Sequence, residues 1–121
     1  MRYLVILVLL AALGGCVTPK PSPESFVDAE QRIEAAVAAG AETHAPVELK
    51  FAREKLAEAR YGMERKSFEK ALYLVEQSEI NAELAIEKSR AAELRGKVTE
   101  LARQNEILRE DFESTFGEDI R

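Results

Sequence analysis

The chain has 121 residues with a formal charge of −5, nearly a third of them charged, with one cysteine, one histidine and no tryptophan. That length allows one small domain with a modest core, the acidic balance argues against a nucleic-acid partner and against electrostatic docking on anionic lipid, and a lone cysteine allows no disulfide within the chain. Abundant alanine and few, scattered aromatics are the composition of exposed helices, so an all-α fold without strands is expected.

The chain opens with a short basic start, Met1-Arg2, an apolar stretch from Tyr3 to Leu13, and small residues before Cys16. These are the three parts of a secretory signal peptide, and residues 1–15 are expected to be removed. At about 1.5 Å per residue the apolar stretch covers only about half of the roughly 30 Å hydrocarbon core, too little for a stable transmembrane helix. Leu13, Gly14, Gly15 and Cys16 together resemble the lipobox of bacterial lipoproteins. The resemblance implies cleavage before Cys16 and the attachment there of diacylglycerol and an amine-linked acyl chain such as palmitate; no other cofactor is expected. The plainer alternative is a spare thiol behind an ordinary signal peptide. Two or three buried acyl chains at roughly 0.8 kcal/mol per methylene would make the anchorage effectively permanent. By resemblance to the sorting rule of Gram-negative lipoproteins, Val17 and Thr18, in place of an aspartate after the cysteine, imply the periplasmic leaflet of the outer membrane.

Thr18-Pro19-Lys20-Pro21-Ser22-Pro23 alternates proline with other residues, which fixes the backbone near the polyproline conformation and forbids a helix. Residues 16–23 therefore read as a lipidated cysteine and a tether, holding the first folded residue within roughly 20 Å of the membrane. A first helix is expected from Glu24, capped by Ser22 or Ser25, the latter at capping-box spacing from Asp28. Phe26, Ala29, Ile33, Ala36, Val37 and Gly40 give it one apolar stripe, and it should end before Pro46. Pro46 suits the first turn of a second helix, with Leu49, Ala52, Leu56, Ala59 and Met63 as its stripe. Gly62 and the charged run Glu64 to Lys66 mark its end. Ser67 can cap a third helix that nothing interrupts before Phe112, about 45 residues or close to 70 Å.

That third helix carries two apolar seams. Phe68, Ala71, Val75, Ser78, Ala82, Ala85, Ser89 and Ala92 form the first, whose small side chains let helix axes approach closely. This face is expected to pack on the first two helices as a three-helix bundle over 24–92. Leu94, Val98, Leu101, Asn105, Leu108 and Phe112 form the second, a heptad seam with leucine at d and valine, asparagine and phenylalanine at a. A coiled-coil extension over 93–113 and a flexible tail over 114–121 are expected. The seam needs a cover: a second copy in parallel, a different envelope protein, its own bundle, or the bilayer. Asn105 at an a position favours two parallel strands, while Arg90 at g facing Arg95 at e opposes them.

Little chemistry is legible. His44, with Glu42 and Glu48 nearby, lacks the spacing and the second histidine of a zinc site, so no metal is expected. With Cys16 acylated no nucleophile remains, and no glycine-rich phosphate loop or histidine-centred pair occurs, so no catalytic residue and no enzyme activity are expected. Glu54 with Glu58, and Glu79 with Glu83, read as solvated helix faces. Tyr61 and Tyr73 could stack on a saccharide, or cap a core edge with the hydroxyl in water.

The pattern Ala-x-x-x-Gly-Ala before Ala45-Pro46, then Glu48-Leu49-x-x-Ala52, Lys55-Leu56-x-x-Ala59, and Phe68-x-x-Ala71-Leu72 running on through spaced alanines, resembles a family of small alanine-rich helical domains of bacterial lipoproteins, domain-of-unknown-function family forty-three ninety-eight. The resemblance implies an envelope location and a helical fold and carries no activity. In that family a peptidoglycan-binding domain similar to outer-membrane protein A often follows; none is read after Arg121. The ending Asp119-Ile120-Arg121 lacks the terminal lysine of the small helical lipoprotein joined to peptidoglycan, so proximity to the wall is expected without covalent attachment. The expected function is a non-enzymatic, lipid-anchored structural or adaptor element of the envelope. The alternative is a regulatory or chaperone-like module whose seam captures an envelope enzyme or assembly factor.

Overall fold

A computed structural model describes residues 19–117. The expected signal peptide, the lipobox residues Leu13, Gly14 and Gly15, and Cys16 lie outside the described residues, as does the end of the expected tail. Four helices follow in order: α1 (Pro23–Ala38), α2 (Ala41–His44), α3 (Pro46–Glu64) and α4 (Phe68–Phe116). No strand occurs among the described residues.

Of the two serines that could cap α1, Ser22 does so: its extended backbone (ψ 153°) turns the hydroxyl to accept the Ser25 N–H at 3.3 Å, and Pro23 takes the first helical position. The helix thus starts one residue before the expected Glu24, because a proline at that position has no N–H to leave unsatisfied. At the other end α1 stops at Ala38. Gly40 adopts φ +80° and donates its N–H to the Val37 carbonyl, so it turns the chain instead of continuing the apolar stripe. The single turn α2 was not anticipated; it buries Ala41, and Ala45 just after it, before Pro46 opens α3.

Gly62 does not end α3. It is buried inside the helix, where an added Cβ would stand 3.3 Å from the Ala71 Cβ, so its lack of a side chain serves close approach to α4. The helix ends two residues later. Ser67 N–H donates to the Gly62 carbonyl (2.9 Å) and Lys66 N–H to the Met63 carbonyl (3.1 Å), with Lys66 at φ 57°, which is a Schellman arrangement. The Ser67 side chain makes no capping bond to α4, contrary to expectation, because its backbone is already committed to closing α3. A left-handed backbone costs an L-residue about 1–2 kcal/mol, part of which glycine returns in unfolded-state entropy. Lys66→Gly should therefore stabilise the bundle by about 1 kcal/mol, raising the melting temperature by several degrees in a calorimetric scan.

Helices α1, α3 and α4 form an up-down-up bundle. Ala52 lies against Ser78 and Gly62 against Ala71, which sets α3 antiparallel to α4, while Arg32 of α1 reaches Glu79 and Glu83 of α4. The expected small-residue seam is the contact face: Ala71, Val75, Ser78, Ala82, Ala85 and Ser89 are all buried. Two clusters make the core, one around Leu56, Ala59, Leu74, Val75 and Ala29, the other around Leu49, Ala36, Ala41, Ala45 and Ala85, with Ile33 packed against both. The Ser78 hydroxyl donates to the Ala52 carbonyl at 2.8 Å, a side chain of one helix touching the backbone of the next. Helix axes this close leave no room for larger residues.

The proline-rich segment is not a free tether where it can be seen. Pro21 is buried, and the Lys20 ammonium sits 5.7 Å above the centre of the Phe68 ring. Lys20 and Pro21 lie beside the end of α3 and the start of α4, where Phe26, Met63 and Phe68 leave partly open apolar surface. At the far end, α4 runs on past the bundle: from Glu93 every residue is exposed. Its 49 residues rise about 74 Å. Residues 114–116, expected in a flexible tail, continue the helix. Ion pairs one turn apart (Lys97 with Glu93, Arg103 with Glu100, Arg109 with Glu106 and Glu113) and the Phe112–Phe116 ring contact at 5.1 Å support this stretch.

Candidate interaction surface: the outward face of α4

The two seams of α4 look in different directions. At 3.6 residues per turn, the buried seam residues Ala71, Val75, Ser78, Ala82, Ala85 and Ser89 stay within about 40° of one line, and Leu94, Val98, Leu101, Asn105, Leu108 and Phe112 average about 140° from it. The apolar members of this second set are 58–65% exposed, and Asn105 is exposed with them. Nothing among the described residues folds back to cover them.

The outward face also reaches further than the six expected positions. Tyr73, Ile80 and Leu84 are 58%, 56% and 44% exposed on the flank of α4 turned from the bundle, and Ala91 connects them to Leu94. Counting back from Leu94 by alternating threes and fours gives 91, 87, 84, 80, 77 and 73, so these residues share the heptad frame, interrupted by Gln77 and Glu87. The signal was in the sequence. It is masked there because the same stretch of helix also carries the buried small-residue seam, so two periodicities are superposed on it.

Residues 24–101 match the pattern of a family described as a domain of unknown function (DUF4398). The chain belongs to this family. No curated protein and no solved structure matches it. The DUF4398 span takes in the whole bundle and the first part of the arm, including Leu94, Val98 and Leu101.

Elsewhere on the DUF4398 domain, charged side chains are mostly occupied with one another. Glu79 and Glu83 flank Arg32 at 3.7 and 3.6 Å, Glu54 pairs with Lys50 and Glu58 with Lys55. The trio around His44 is dispersed: Glu42 reaches Arg53 at 3.5 Å, Glu48 is held by Lys88, and His44 is exposed at the end of α2. No group of histidine, cysteine, aspartate and glutamate able to hold a metal occurs among the described residues. Tyr61 accepts a hydrogen bond from Arg65 at 3.1 Å, with that guanidinium 5.5 Å above its ring, so one face is already covered. Tyr73 stands on the outward face of α4. No described helix is long and apolar enough to cross a membrane.

The hydrogen bond from the Lys88 ammonium, with the Glu48 backbone adding to it, holds the Glu48 carboxyl below the usual carboxylate range. A depressed folded value means that this link between α3 and α4 stabilises the fold above the unfolded value and is lost as pH falls through the folded one. In Lys88→Met the Glu48 carboxyl should titrate closer to the ordinary range, as followed by its carbon-13 shift; an unchanged midpoint would show that the ammonium is not the cause. Glu93 and Glu100 are shifted the same way, chiefly by hydrogen bonds from Lys97 and Arg103 respectively, and these pairs lie wholly on the arm.

Proposed function

We propose that this chain is a non-enzymatic lipoprotein, held by acylated Cys16 in the periplasmic leaflet of the outer membrane, that acts by contact as a structural or adaptor element of the cell envelope. The observation that carries this reading is the outward face of α4, a line of large apolar side chains left in water along a helix that outruns its own bundle. Apolar surface arranged in one stripe, in place of single scattered side chains, marks a binding face. The bundle then serves as a stand. It fixes the base of α4, and the tens of ångströms of helix beyond it carry the apolar stripe away from the membrane. The location rests on Leu13, Gly14, Gly15 and Cys16 and the signal peptide before them. A contact role is further supported by the carboxylates, many of which are spent on ion pairs at the surface.

Growth on labelled palmitate followed by membrane fractionation tests the reading. The full chain should carry label and sediment with the outer membrane, and Cys16→Ser should lose both properties. A shortened chain lacking residues from Leu94 onward should keep label and location but lose the protein that co-purifies with it. An unlabelled, freely soluble wild type would overturn the proposal.

A further inference from the structure

We infer that α4 pairs in parallel with the α4 of a second copy of this chain, along the outward face from Ile80 to Phe112. This deepens the proposed function by naming what covers that face, and it rests on reading the face as the working surface. Three observations point to a second copy. First, Asn105 is the one amide within the otherwise apolar heptad line from Ala91 to Phe112. In a parallel pair Asn105 meets its own copy, and an amide, with donor and acceptor together, satisfies itself there; opposite a leucine it would be buried without a partner.

Second, the face lies about 140° round α4 from the side occupied by α1 and α3, so two copies can bring their α4 helices together with both bundles on the outside. The pairing therefore need not wait for the arm: Ile80 and Leu84, exposed beside the bundle, fall in the same frame and lengthen the contact. Third, the exposed side chains from Ile80 to Phe112 in two copies give a buried total on the order of 1,200 Å², the lower bound of stable specific interfaces. The flanking charges set its strength. In this alignment Arg90 meets Arg95 and Glu87 meets its own copy, which weakens the middle of the seam, while Glu83 and Lys88, at the corresponding flanking positions, are engaged within each copy by Arg32 and Glu48. The pair is thus reversible and suited to chains concentrated on one surface.

Cross-linking of the full chain in its native membrane tests this. Val98→Cys and Leu108→Cys, introduced singly, should each oxidise to a disulfide-linked dimer of twice the chain mass. The outward Arg103→Cys and the unsubstituted chain should give several-fold less. Absence of dimer at both seam positions, or equal yield at Arg103→Cys, would overturn the inference. Linking of Val98→Cys to Leu108→Cys on co-expression, without self-linking of either, would overturn it in favour of an antiparallel pair. An adduct of a different mass would overturn it too, while leaving the adaptor reading intact. Dimer formed by a chain that carries no palmitate label would support the pairing and remove the lipoprotein reading instead.

Discussion

Replacing Ser78 with leucine is expected to lower the stability of the bundle by about 2–4 kcal/mol, enough to leave a domain of this size largely unfolded near its present melting temperature. The residue is fully buried, and its hydroxyl lies 2.8 Å from the Ala52 carbonyl of α3. A leucine there must push the α3 and α4 axes apart, which would also loosen the contacts of Leu49, Leu56 and Val75 in both core clusters. Ser78→Ala separates the two causes. It removes the hydrogen bond without adding volume and should cost about 1 kcal/mol. Thermal unfolding followed by circular dichroism at 222 nm reads both variants, and a leucine variant melting within a degree or two of wild type would mean that the close approach of the helices is not what holds them.

The converse substitution lies on the other face of the same helix. Leu101→Asp together with Leu108→Asp should leave the melting of the bundle unchanged at concentrations where the chain is monomeric, because both side chains are exposed and beyond its end. Whatever covers the arm would then have to bury two carboxylates per copy. At a cost of several kcal/mol for charges desolvated without partners, association should weaken by at least about two to three orders of magnitude. The measurement is the dissociation constant of the full chain in dilute detergent, by sedimentation velocity. Unaltered association would place the contact elsewhere on the molecule.

The two faces of α4 show what sequence could and could not convey. Small residues from Ala71 to Ser89 and large ones from Leu94 to Phe112 were legible because each set recurs at three and four residues, and helix periodicity alone sorts them. The start of the helix at Pro46 was equally plain, whereas Pro23, which reads as the end of a tether, opens α1 with Ser22 as its cap, one residue before the expected Glu24. What periodicity could not report was distance. Gly62 looks like a terminator in one dimension and is a contact point in three, since only the position of Ala71 reveals why a side chain is excluded. Lys66 in a left-handed turn defies local preference, and a charged run gave no hint of which residue would take that conformation. Pro19 to Pro23 carried no sign that Pro21 would be buried, because the apolar surface beside it is assembled from Phe26 of α1 and Met63 of α3. The outward continuation through Ile80 and Leu84 follows the same count of threes and fours, but only burial separates it from the stronger inner pattern on the same stretch of chain.

The relation between the two faces also explains why a bundle this small carries so long a helix. An isolated helix in water is marginal, and the arm gains its nucleus from a first half already fixed by α1 and α3. Ion pairs such as Arg103 with Glu100 support it along the polar side, each modestly because all are exposed. Its apolar side gains nothing until it is covered.

Hydrogen exchange of the full chain measures that cover directly. In the native membrane, amides from Leu94 to Phe112 should exchange markedly more slowly than in dilute detergent, while those of the bundle keep the same rates in both. Equal and rapid exchange of the arm in the two settings would mean that its apolar face stays in water, and that the protein does not work through it.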